Sequence, residues 1–239
     1  MVDIAFKDLC IDVTAGGGRS TLVAGFWAAA LDLDVIPNTG EDFKLQPHGV
    51  AFPERVIWVN AVPEAIGGKS RVHLDLVVSK GEQARLFAAG ASLIRGADAA
   101  RPWDVLEDPD GVAFCAFEPS QADGRESGIL QLVVDADEPS AIAQWWADRT
   151  GATLHRHPQR PFVWLEGVAG LPFPRWEFNP VPEAKTQKNR VHWDVTLIDA
   201  SVDDLVATGA TLIRLPATGA DWWVLADPEG NEFCAFTPR

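Results

Sequence analysis

The chain has no tyrosine, a single methionine and only three cysteines in 239 residues. Its longest nearly apolar stretch, Thr21 to Leu31, falls well short of the ~20 residues a membrane-spanning helix needs. Cys10, Cys115 and Cys234 are odd in number, so they predict free thiols rather than a disulfide framework. The start, Met1 to Lys7, lacks the basic opening, apolar run and cleavage site of a secretory signal, which makes the cytoplasm the expected location. Positive charge is also scarce: 20 Lys and Arg stand against 34 Asp and Glu, a net charge of -14. Such a chain repels phosphate backbones and is not expected to bind nucleic acid, whereas a cationic ligand would be drawn in.

Internal repetition is what the chain has in abundance. Lys69-Ser70-Arg71-Val72-His73-Leu74-Asp75 returns as Lys188-Asn189-Arg190-Val191-His192-Trp193-Asp194, and Asp108-Pro109-Asp110-Gly111 returns as Asp227-Pro228-Glu229-Gly230, each 119 positions later. The same offset sets Trp27 on Trp146, Pro53 on Pro172 and Asn60 on Asn179. The reading is two domains, 1–121 and 127–239, joined by the polar segment after Ser120.

Each copy reads as strand, helix and three short strands, twice over. Strands are predicted at Leu9 to Thr14, near Val35, at Gly49 to Phe52 and at Val56 to Val59, with a helix capped by Ser20 and reaching Leu31. Arg71 to Val78 alternates with the period of a sheet and leads into a helix from Glu82 to Ala89, closed by Gly90. Strands follow at Ser92 to Arg95, Trp103 to Glu107 and Ala113 to Glu118, the last two joined by the Asp-Pro-Asp-Gly turn. The second copy repeats the scheme with strands at Ile129 to Val134 and Arg190 to Leu197 and a helix at Pro139 to Arg149.

Taken together, Lys-x-Arg-Val-His-x-Asp opening a strand, Leu-x-Ala-x-Gly-Ala ending a helix, Trp-x-Val-Leu-x-Asp-Pro-x-Gly and the closing Phe-Cys-Ala-Phe resemble the glyoxalase-like, or vicinal oxygen chelate, superfamily. That superfamily includes glyoxalase I, extradiol dioxygenases and bleomycin-resistance proteins. The resemblance implies an α+β fold of four βαβββ modules, forming two tandem glyoxalase-like domains whose sheets curl around cavities. Metal-dependent members take ligands from the first strands of the modules and from a glutamate on a last strand. His73 and His192 match the histidine of that pattern. Cys115 and Cys234 stand where the final glutamate is expected, and the other opening-strand position falls near Asp12 and Gln131. These departures argue against a resident cofactor, with a divalent metal as the alternative.

The residues leave several readings open. His73 with Asp75, and His192 with Asp194, share one face of their strands and suit acid–base work, ligand anchoring or strand locking. Asp12 with His73 and Cys115, or Gln131 with His192 and Cys234, would make mixed-ligand metal sites. Glu232 shares a strand face with Cys234, which makes the second cavity the more acidic. The ten tryptophans serve as core or as stacking walls for a planar or cationic ligand. The expected activity is binding, or metal-free transformation, of a small organic molecule, with a metal-dependent lyase, isomerase or dioxygenase as the alternative. A monomer or a homodimer, acting away from membranes, fits the composition.

Overall fold

A computed structural model describes residues 2–50, 56–64, 70–122 and 125–238. Lys69, Pro53 and the end of the strand predicted at Gly49 to Phe52 lie outside them. The first module comprises β1 (Ile4–Thr14), α1 (Arg19–Leu31), β2 (Leu33–Pro37), β3 (Phe43–Pro47) and β4 (Ile57–Val62). The second has β5 (Val72–Val77), α2 (Lys80–Ala88), β6 (Ser92–Arg95), β7 (Asp104–Glu107) and β8 (Ala113–Phe117). The third has β9 (Gly128–Ala136), α3 (Pro139–Thr150), β10 (Thr153–Arg156), β11 (Val163–Glu166) and β12 (Arg175–Pro180). The fourth has β13 (Val191–Leu197), α4 (Val202–Ala207), β14 (Thr211–Arg214), β15 (Trp223–Ala226) and β16 (Glu232–Phe236). Two local expectations need correction. The third strand lies at Phe43–Pro47, so Gly49 and Val50 follow it in a turn, and α1 is capped by Gly18 in the left-handed region rather than by the Ser20 hydroxyl. Three glycines before the helix give the backbone that freedom, at φ 91, 69 and 72.

Strand pairing crosses the repeat. Sheet 1 runs β14-β15-β16-β13-β1-β4-β3-β2, joining the first module to the fourth, and sheet 2 runs β10-β11-β12-β9-β5-β8-β7-β6, joining the third to the second. The joints are antiparallel pairs of opening strands, β1 with β13 and β5 with β9. Beside each lies an arginine from the repeated motif that bonds to the other copy. Arg71 donates to the Asp135 carbonyl at 3.0 and 2.9 Å, and Arg190 reaches the Glu64 carbonyl at 3.1 Å and Asp110 at 3.4 Å.

Alternation sorts each strand into two faces. Ile4, Phe6, Leu9, Ile11 and Val13 on β1 join Leu132, Val134, Trp176 and Trp193 in one buried apolar cluster that spans both sheets and the helices. Trp146 of α3 is its hub, with ring centroids 4.8 Å from Trp176 on sheet 2 and 5.3 and 5.2 Å from Trp193 and Phe233 on sheet 1. Trp193 therefore packs under a helix, on the face opposite His192, as period two predicts. The tight join shows at Gly170, whose φ of +83 leaves a missing Cβ position only 2.1 Å from the Phe6 carbonyl oxygen.

Within each copy the first module's helix is tied to the second module's turn. Trp27 Nε1 donates to Asp108 at 3.0 Å and Trp146 Nε1 to Asp227 at 3.1 Å. Because each pair has one partner on either sheet, the two bonds hold the sheets together. Burial pushes the Asp227 carboxyl up to about 6 against the pull of its donors, Asn231 and Trp146 among them. A carboxyl raised in the fold favours the folded state most when protonated, so its ionised form, present above about pH 6, depends most on the indole donor. Trp146→Phe is expected to cost ~1–3 kcal/mol at neutral pH, beyond any packing change, and less at pH 4, as read by urea denaturation at the two pH values.

Candidate active site

The polar faces of the two sheets carry His73, His192, the thiols and most of the buried carboxylates. On sheet 2, His73 and Asp75 of β5 lie beside β9 and β8, with Asp75 opposite Gln131 on one side and Cys115 on the other. Gln131 Nε2 donates to Asp75 Oδ2 at 2.8 Å and to Glu177 Oε2 of β12 at 3.1 Å, bridging two carboxylates. Asn179 holds the other Glu177 oxygen at 3.0 Å. Asp75 Oδ1 accepts no hydrogen bond although Asp75 is only 4% exposed, and His73 Nε2 stands 3.4 Å from it.

Sheet 1 carries the related set. Cys10 of β1 lies opposite His192 of β13, and Asp194 lies beside Cys234 of β16. The Cys10 thiol points to Asp194 Oδ1 at 3.5 Å. Asp12 pairs with Lys188 at 2.6 Å and lies 3.7 Å from His192 Nδ1. Glu232 shares the Cys234 face but is paired with Lys185 at 2.7 Å, so its charge is already balanced. Asp8 accepts from Trp58 Nε1 at 3.3 Å.

These placements correct the expected groupings. Asp12 belongs with His192 and Cys234 rather than with His73 and Cys115, and Gln131 belongs with His73, Asp75 and Cys115 rather than with His192. The cause is the crossed pairing, which sets each opening strand against the other copy. The counterpart of Gln131 is also not Asp12. The Asp12 amide donates to the Arg190 carbonyl as the Asp135 amide does to that of Arg71, so β1 and β9 correspond at an offset of 123, with Asp8 matching Gln131 and Cys10 matching Val133. The extra residues of copy 1 sit in the Gly16-Gly17-Gly18 loop, after which the offset returns to 119.

Sequence reasoning missed Glu177, Asp8 and Cys10. Glu177 is a glutamate on the last strand of a module, in the alternating segment Trp176-Glu177-Phe178-Asn179 with polar residues on one face, and that alternation was the available signal. Trp58 takes its place in copy 1. Sheet 1 thus pairs a carboxylate with an indole donor, Asp8 with Trp58, where sheet 2 pairs an amide donor with a carboxylate, Gln131 with Glu177. Donor and acceptor have changed strands together.

Burial dominates the electrostatics. Glu177 is pushed up to about 7 by burial and by Asp75, and Asp194 to about 6 by burial. For His73, burial works against the charged ring, but the Asp75 carboxylate beside it outweighs burial and the net shift is upward. Cys10, Cys115 and Cys234 are pushed far above the ordinary thiol range, by burial first and then by neighbouring carboxylates, Asp194 for Cys10 and Cys234 and Asp75 for Cys115.

Two trios bring an imidazole, a carboxylate and a thiol together with ligand atoms within 4.8 Å of one another: His73, Asp75 and Cys115 on sheet 2, and Cys10, His192 and Asp194 on sheet 1. An imidazole, a carboxylate and a thiol suit a divalent ion of intermediate softness, and the unbonded Asp75 oxygen fits the same role. Half-buried aromatics flank the trios. Trp103 stacks on Phe117 at 5.0 Å, Trp164 on His155 at 5.4 Å and Trp222 on Phe236 at 5.6 Å, surfaces suited to a planar aromatic ligand. Trp27, Trp146, Trp176 and Trp193 are core instead. A cavity of about 610 Å³, lined by residues including Leu130, Glu166 and Arg175, opens beside sheet 2, and neither the trio nor Glu177 lines it.

With this geometry in place, comparison with known proteins decides the family. The glyoxalase-like domain family matches residues 9–117 and again 131–236. The chain belongs to that family. A search of curated proteins finds no match. Among solved structures, glyoxalase I from Zea mays superposes with a TM-score of 0.66 at 12% identity, covering 97% of this chain and 92% of that one. A putative dioxygenase from Bacillus subtilis gives 0.64 at 13% identity, covering 99% and 86%. At such identities the likeness is one of fold. The tandem α+β architecture of this glyoxalase-like chain is thus shared with both, and no helix among the described residues is long and apolar enough to cross a membrane.

The thiols of this glyoxalase-like protein are expected to be inert in the fold. Iodoacetamide at neutral pH should label none of the three in the native protein and all three in urea, as counted by intact mass, and rapid native labelling of any one would contradict the burial described for it.

Proposed function

We propose that the protein is a divalent-metal-dependent glyoxalase-like enzyme acting on a small organic molecule over the polar face of sheet 2. The observation that carries this reading is the His73, Asp75 and Cys115 trio, with an unbonded buried carboxylate oxygen and Glu177 alongside. His73 and Asp75 would hold the ion with Cys115, and the bound ion would supply Lewis acidity toward a carbonyl, hydroxyl or water oxygen. Glu177 is half-buried, so its carboxylate can meet a substrate proton, and Gln131 and Asn179 fix its two oxygens for that purpose. Trp103 and Trp164 bracket the face and would orient a flat substrate by stacking. The reaction class that suits these parts is a lyase, isomerase or dioxygenase.

Elemental analysis of protein purified without chelator or metal-affinity resin tests the reading. A divalent metal is expected in the wild type, with about one equivalent lost in His73→Ala and in Asp75→Asn. Metal-free wild-type protein, or a content that neither variant changes, would count against it.

Binding of a flat ligand without catalysis is favoured for sheet 1 by one observation: Trp222 stacks on Phe236 at 5.6 Å, while two acids of that face already have cations, Lys188 on Asp12 and Lys185 on Glu232. Titration with planar aromatic compounds, read by tryptophan fluorescence, is expected to give saturable quenching that Trp222→Ala weakens. A flat response would remove this second reading.

A further inference from the structure

We propose that Cys10, His192, Asp194 and Cys234 on sheet 1 form a closed, structural site for a thiophilic divalent ion such as zinc, different in kind from the open site around His73. All four residues are buried, at 3, 8, 4 and 8% exposure; on sheet 2 Asp75 and Cys115 are as buried, but the His73 side chain is 20% exposed against 10% for that of His192, and Glu177 is half-buried. Structural zinc sites are closed and rich in thiolate, while catalytic ones keep a position open. Comparison of the two sheets within this one chain gives the same contrast. At the place of Val133, sheet 1 has gained a thiol, Cys10. At the place of Glu177 it has the indole of Trp58, turned to Asp8. A second thiol has been added and the accessible carboxylate removed.

A second observation points to a missing partner. His192 is nine-tenths buried, yet its Nδ1 makes no hydrogen bond, since the nearest carboxylate oxygen, on Asp12, stands at 3.7 Å and is engaged by Lys188 at 2.6 Å. Buried imidazoles are seldom left so, because an unpaired buried polar nitrogen costs ~1–3 kcal/mol. Cys10 and Asp194 present their ligand atoms within 4.8 Å of that ring, and Cys234 flanks Asp194 from the next strand. Binding would form two metal–sulfur bonds and release the two thiol protons to solvent, with no change of oxidation state. The ion would join β1 to β13 and β16 and so fasten the first strand of the chain to its last.

Cobalt(II) titration of the metal-stripped protein tests this independently of the activity assigned to sheet 2. The wild type is expected to show a thiolate-to-cobalt charge-transfer band that survives Cys115→Ser and is lost in Cys10→Ser, with added zinc raising the melting temperature of the wild type and of Cys115→Ser but not of Cys10→Ser. Should Cys10→Ser fail to fold by circular dichroism, the wild type and Cys115→Ser decide. A wild type without the band, or a band abolished by Cys115→Ser alone, overturns the proposal. A band indifferent to Cys115→Ser, together with a metal content that His73→Ala leaves unchanged, would instead sink the reading of sheet 2 and leave this one standing.

Discussion

Antiparallel pairing of each module's opening strand with one from the other copy is the constraint from which the rest follows. Once β1 lies on β13 and β5 on β9, register sets Cys10 against His192 and Asp75 against Gln131. The apolar residues between them are then forced to the opposite side, where both sheets share one core. Neither copy completes a polar face alone, because every eight-stranded sheet takes four strands from each. The arginine bonds to the other copy and the tryptophan bonds to the turn aspartates act on the same joint. Each ties an element of one sheet to an element of the other sheet or of the other copy.

Doubling a unit in one chain frees the halves to diverge while the scaffold stays fixed. The histidine, the aspartate two residues on and the closing cysteine occur on both sheets, so they belong to the frame. The differences lie on the flanking strands. Asp8 with Trp58 against Gln131 with Glu177 exchanges donor for acceptor without leaving a buried group unpaired, a change that works only if both positions move together. Cys10 against Val133 then separates the two faces chemically. One is buried, rich in sulfur and neutralised by lysines. The other is partly open and carries an accessible carboxylate beside an imidazole.

Much of the fold was legible in the sequence, and for identifiable reasons. The repeat carries strongly punctuated motifs, the Asp-Pro-x-Gly turns and the alternating Arg71 to Val78 segment, and β5, β6, β7, β8 and β13 were legible to within a residue or two. The third strand was misplaced because Phe43–Pro47 is too short and mixed to stand out against the loop after it. The polar-face residues on β5, β8, β13 and β16 were found because motif and alternation coincide there. Their partners were not, since strand order is a tertiary fact that a gap-free repeat conceals. A uniform offset of 119 hid the four-residue slip at the glycine loop, set Asp12 against Gln131, and made each copy look self-contained. Glu177 escaped for a related reason: it was sought at the end of the second module, where Cys115 stands, and not at the end of the third.

The crossed pairing can be measured without any ligand. In a double-mutant cycle by urea denaturation, Gln131→Leu and Asp75→Leu, residues from different copies, should be coupled by ~1 kcal/mol or more, while Asp12→Leu and His73→Leu, on different sheets, should be additive within ~0.5 kcal/mol. Additivity of the first pair with coupling of the second would contradict the account and return each cavity to a single copy.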